Sequence, residues 1–170
     1  MPEYEVCHVC PLSESQQEQL AEAITVIHST TFSTPRLFVN VKFSNISQVP
    51  LYVAGKRRSN NRVLANVRHG PTRTQEQYES IIRKIMAAWE KIVPESKQKR
   101  SANGVDYELR MVILFGAIVA AFEAGFMVPE AGKDQNWLQD YAPQFQAKAD
   151  EGDEDFKEML RECKERGLLK

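Results

Sequence analysis

Leu37-Phe38-Val39-Asn40-Val41-Lys42-Phe43-Ser44 is the stretch on which the reading of the fold turns. Leu37, Val39, Val41 and Phe43 share one face, and Asn40, Lys42 and Ser44 the other. That two-residue period predicts a strand with one solvated side. Upstream, Tyr4 to Val9 alternates in the same way and predicts a first strand. Between the two, Ser13 or Ser15 can cap a helix striped by Leu20, Ile24 and Ile27 and ending in His28-Ser29-Thr30-Thr31. The first unit therefore reads strand, helix, strand.

Downstream the pattern returns without the residues. Leu51–Ala54 and Val63–Val67 predict two short strands, with the turn-rich GKRRSNN between them suggesting a hairpin. Thr72 or Thr74 opens a helix carrying Ile81, Ile82, Ile85, Trp89 and Ile92, which Pro94 stops. A polar loop, ESKQKRSANG, leads to a strand from about Tyr107 to Phe115. Two such units predict an α/β (α+β) fold: one four-stranded mixed sheet with both helices on one face. The other face then needs a cover, which points to self-association. In the tail, Trp137–Ala147 predicts a short helix, and Asp153-Glu154-Asp155 opens a last one striped by Phe156, Met159, Leu160 and Cys163.

A chain of 170 residues, 42% hydrophobic, can bury a core of its own. A formal net charge of -1 supplies no basic field to recruit nucleic acid or an anionic membrane. The apolar run Met111–Phe122 is shorter than the ~20 residues a spanning helix needs and reads as buried core. Three cysteines make no disulfide framework, and the acidic start MPEYEVCHVC is unlike a signal peptide. The expected location is the cytoplasm.

Five residues could carry chemistry. Removal of Met1 would leave Pro2 with a free secondary amine; α-amines titrate near ~7.7–8.0, and burial lowers that. A neutral amine heading a buried strand is a general-base candidate. Glu123, set among apolar residues in AIVAAFEAGFMV, reads as an acid or base if buried, or as the exposed edge of a short helix. Arg68 and Arg73 flank a strand-to-helix turn, where they could hold a carboxylate or simply face water. His28 could donate to a ligand or end a helix half-buried. Cys7-His8-Val9-Cys10 has redox or zinc spacing, but at a strand end its cysteines point to opposite faces and no second pair follows. Lys56-Arg57-Arg58 with Arg62 lacks interleaved aromatics and reads as a solvated hairpin tip.

In this order, Pro2, His28 in AEAITVIH, RLFVNVKF, Arg73, and the block Phe115, Gly116, Glu123, Gly125, Pro129 and Trp137 resemble the tautomerase superfamily, most closely its cis-3-chloroacrylic acid dehalogenase-like group. The resemblance runs from Pro2 to about Trp137. It implies a tautomerase-like domain over 2–129, with units at about 2–46 and 62–116, and a helical extension over 130–170. It also implies a homotrimer, no cofactor or metal, Pro2 as the catalytic amine, and a small carboxylate held by His28 with two arginines. Glu123 would serve as a second acid or base. Three departures stand out. Position 70 is Gly where the family's arginines stand three apart, so Arg68 can fill that role only if the loop has lengthened; Leu114 replaces a tyrosine; and Gly116 to Glu123 is two residues short. Keto–enol proton transfer survives these losses better than hydration or dehalogenation of a 3-carbon unsaturated or halo-acrylic acid. A non-catalytic binding protein on the same scaffold is the remaining alternative.

Overall fold

In the computed structural model, which describes residues 1–97 and 104–169, β1 runs from Glu3 to His8 and buries Tyr4 and Val6. Helix α1 (Glu14–Phe32) starts at Ser13, whose side chain accepts from the Gln16 amide while Gln16 reaches back to the Ser13 amide. This reciprocal capping box satisfies two otherwise orphaned donors. The helix outlasts its polar run and stops at Ser33, in the left-handed conformation at φ 52.

The expected strand at Leu37 begins later. Arg36–Phe38 forms one tight 3-10 turn, and β2 spans Asn40–Asn45. Pro35 has no amide to donate to a ladder, and Phe38 is drawn into a cluster with Phe126, Trp137 and the C-terminal helices. The expected hairpin is also tighter. β3 (Leu51–Val53) pairs with β4 (Lys56–Arg58) across Ala54 and Gly55, both at positive φ. Two positive-φ residues make the turn whose twist suits a two-residue hairpin. The basic run is thus an exposed strand rather than a tip. β5 (Asn61–Asn66) leaves that hairpin and joins the main sheet.

Helix α2 (Gln75–Ile92) has the same capping box, from Thr74 and Gln77. Of the expected polar loop, residues 98–103 lie outside the described residues. β6 (Leu109–Phe115) completes a four-stranded sheet ordered β2-β1-β5-β6, parallel at both outer pairs and antiparallel between β1 and β5. Asn61 ties its end together: its Oδ1 accepts from the Val9 and Cys10 amides at 2.8 and 3.2 Å, and its Nδ2 donates to the Asp106 and Glu108 carbonyls.

Tyr4, Val6, Val63 and Ala65 from the sheet meet Leu20 and Ile24 of α1 and Ile81, Ile85 and Trp89 of α2 in one core. On the opposite face Glu5 accepts from Ser44 at 2.7 Å and Lys42 pairs with Glu3 and Glu5. β7 (Phe122–Glu123) and β8 (Phe126–Met127) form a second tight hairpin, with Ala124 and Gly125 at positive φ. α3 (Asp134–Asp150) is longer than expected at both ends, and α4 (Glu154–Glu165) is capped by Asp153. These two helices build their own core with Phe38 and Phe126, so they leave that second face of the sheet uncovered.

Met111–Phe122 is not buried core within this chain. β6 is an edge strand, and Met111, Phe115, Val119, Phe122 and Met127 are all exposed, Val119 almost fully at 97%. No helix among the described residues is long and apolar enough to cross a membrane.

Candidate active site

The antiparallel and parallel neighbours of β1 fix where the chain starts. Asn40 at the head of β2 donates its amide to the Pro2 carbonyl at 3.2 Å, which holds Pro2 buried at the end of a central strand. Around it a cavity of about 10 Å³ is lined by Met1, Thr34, Arg68, Pro129, Asp134 and Trp137, among others. That is room for one water at most.

Arg68 lies just beyond β5 and Arg73 just before α2, and both are 6% exposed. Two guanidinium groups buried together repel unless a charge offsets them. Asp134, the first residue of α3, supplies it: Oδ1 is 2.5 Å from Arg68 Nη2 and Oδ2 is 3.7 Å from Arg73 Nη2. Arg68 Nη1 donates to the carbonyls of Pro129 and Glu130. Arg73 Nη1 donates to the Arg68 carbonyl at 2.8 Å, and its guanidinium lies 4.0 Å over the Phe32 ring. Burial, and then the charge of Arg68, lowers the Arg73 pKa. Neither arginine faces water.

Two glycines let the 129–134 segment reach them. A Cβ at Gly70 would stand 3.0 Å from Ala131 Cβ and 3.2 Å from its carbonyl oxygen. Gly132 sits at φ +86, and a Cβ there would overlap the Thr72 side chain.

His28 is 1% exposed, and its Nδ1 lies 2.9 Å from the Tyr4 hydroxyl. Burial foremost, then the charge of Arg73, pushes its pKa well below the usual value, so the ring is neutral. Burial raises Tyr4, whose hydroxyl stays protonated and shares a hydrogen bond with Nδ1 whose direction follows the ring tautomer. Glu123, on a hairpin rather than a helix, is half-buried and accepts from Asn40 Nδ2 at 2.7 Å.

Four buried polar atoms here have no hydrogen-bond partner: His28 Nε2, Thr34 Oγ1, Arg73 Nη2 and Glu123 Oε2. Such groups are rare in native proteins and mark places where a ligand can complete the bonding. The electrostatics agree on the centre. Burial foremost, then Arg68, lowers the Met1 amine from 8.0 to about 5, against opposing pulls from Asp134 and Glu123. The structure thus brings Pro2, His28, Arg68, Arg73 and Glu123 around one chain end. Sequence reasoning missed Asp134, Asn40 and Thr34. Asp134 reads locally as an ordinary acid near a helix start, and nothing nearby signals its burial against residues 66 positions away.

The cysteine pair is elsewhere. Cys7 and Cys10 are buried and free, and burial raises both thiols, Cys10 to about 11, which disfavours the reactive thiolate. Among the described residues no cluster of three or more His, Cys, Asp or Glu gathers as metal ligands would.

Residues 1–141 match the family described as "Putative oxalocrotonate tautomerase enzyme", and the chain belongs to that family. The match ends inside α3, so α4 lies beyond it. Among solved structures, N1, a member of the cis-3-chloroacrylic acid dehalogenase family, is 21% identical with a TM-score of 0.60, over 80% of this chain and 90% of that one. Native Ps01740 is 25% identical with a TM-score of 0.51, over 71% and 99%. A fused 4-OT, described as an asymmetric trimer, is 12% identical with a TM-score of 0.56, over 74% and 94%. These likenesses show the tautomerase-like fold. No curated protein matched the sequence.

Proposed function

We propose that this chain is a cofactor-free tautomerase of a small 2-oxo or enol carboxylate, with the Pro2 amine, freed by removal of Met1, as its general base and acid. The observation that carries the reading is the gathering of Arg73, His28 and Glu123, each with a buried polar atom lacking a hydrogen-bond partner, near the buried Pro2. Pro2 nitrogen takes the enol O–H proton to leave an enolate, whose oxygen pair forms the C=O bond as the C=C pair is freed to bond a proton at C3. The resulting ammonium returns a proton to C3, so one proton moves and nothing is oxidised. Arg73 Nη2 and His28 Nε2, neither with a hydrogen-bond partner, hold the substrate carboxylate and oxygen, the His28 ring serving in its Nε2–H tautomer, while Glu123, oriented by Asn40, assists as a second acid or base. Leu114 packs against the core and leaves no phenol to share water activation, which favours proton transfer over water addition or dehalogenation.

Pro2→Ala is expected to slow the ketonisation of phenylenolpyruvate by about 10²-fold or more. The wild-type rate should hold through neutral pH and fall on the acid side, where the amine becomes protonated. An unchanged rate in the variant, or none in the wild type, overturns the proposal.

The same reading includes a homotrimer. The exposed apolar residues between Met111 and Met127 and the open sheet face need cover, and fused 4-OT relatives are described as trimers. Sedimentation equilibrium should give a mass three times the 19.4 kDa of one chain; a monomer or dimer at micromolar concentration contradicts it.

A further inference from the structure

Asp134 is a carboxylate of the protein placed where a ligand's carboxylate would be expected. Arg68 is fully engaged by it and by the carbonyls of Pro129 and Glu130, and has no buried donor without a partner. Arg73 is the opposite case. Its Nη2 stands 3.7 Å from Asp134 Oδ2, too far for a hydrogen bond, and has no other partner. Asp134 is itself only 7% exposed, heads a helix whose positive end favours its charge, and cannot swing out without moving the segment seated on Gly70 and Thr72.

We propose that Asp134 sets the substrate's charge: it occupies Arg68, which lines the cavity beside Pro2, leaves Arg73 as the guanidinium with an unpartnered buried donor, and so restricts the site to monocarboxylates. The inference rests on the reading above, in which Arg73 binds the substrate carboxylate. Arg68 and Arg73 contribute two positive charges, Asp134 and Glu123 two negative ones, and His28 is neutral. One incoming carboxylate meets the free guanidinium donor. A second finds no cation and must enter a buried site already carrying excess negative charge, where like charges are costly.

The test is calorimetric binding of 2-oxopentanoate and 2-oxoglutarate, five-carbon 2-oxo acids that differ by one carboxylate, to protein with Pro2 exposed. Wild type should favour 2-oxopentanoate by about tenfold or more. Asp134→Asn releases Arg68 and should move that preference toward 2-oxoglutarate by about tenfold. The charge-balanced pair Arg68→Gln with Asp134→Asn should restore the wild-type preference, and it serves also if the single variant leaves Arg68 too poorly paired to fold. An unaltered preference in Asp134→Asn, or in its place a double variant that departs from wild type, overturns the proposal and leaves the tautomerase reading standing. If wild type binds neither acid, the reading beneath it fails as well.

Discussion

A chain that keeps even one residue ahead of Pro2 is expected to lose enol-to-keto conversion by about 10²- to 10⁴-fold, the range a general acid–base group contributes. Two effects act together. Acylating the proline nitrogen turns it into a tertiary amide with no basic lone pair. Met1 also lines the cavity of about 10 Å³ beside it, with Thr34, Arg68 and Asp134, and crowds a substrate there. The Met1 amine is itself held to about 5, but it sits one residue farther out and occupies the volume the substrate needs. The measurement compares one preparation before and after proteolytic removal of an N-terminal extension ending just before Pro2. Full activity in the extended form would show that Pro2 is not the base.

Arg73→Gln carries the second large effect, a fall of about 10- to 10²-fold in kcat/KM, expressed mainly in KM. Hydrogen bonds to charged groups contribute about 1.5–3 kcal/mol, and each 1.4 kcal/mol is tenfold. Arg73 also lies over Phe32 and bonds the Arg68 carbonyl, so a thermal melt must accompany the kinetics. Arg73→Lys separates charge from shape: it keeps the cation without the planar fork and should fall between wild type and Arg73→Gln. A normal KM in a folded Arg73→Gln enzyme would remove Arg73 from substrate binding.

Much of the fold was legible because its information is local. Tyr4 and Val6 alternate, Ser13 with Gln16 and Thr74 with Gln77 cap their helices, and the helical stripes reach the core they imply. Errors arose where a distant element decides. Leu37 and Phe38 have strand-like alternation, yet both pack with the cluster formed by the last two helices. The 111–122 run looks like core because its apolarity is real; one chain does not cover it. The same split runs through the site. Arg68 and Arg73 could be named from the turn they flank, but their relation to Asp134 spans 66 and 61 residues respectively, and Asn40 reads only as the polar face of a strand.

Gly70 began as a departure from a spacing pattern, a missing arginine. The contact with Ala131 ties it to how the 129–134 segment docks. A Cβ at position 70 would press on Ala131 and its carbonyl oxygen, so the docked 129–134 segment would have to give by a few tenths of an ångström to admit it. An arginine there would add a cation, and where its side chain also displaced the segment carrying Asp134 the local charge would change by two rather than one. That single codon is a switch between a polar cradle that balances its own charge and one that waits for a guest to do so.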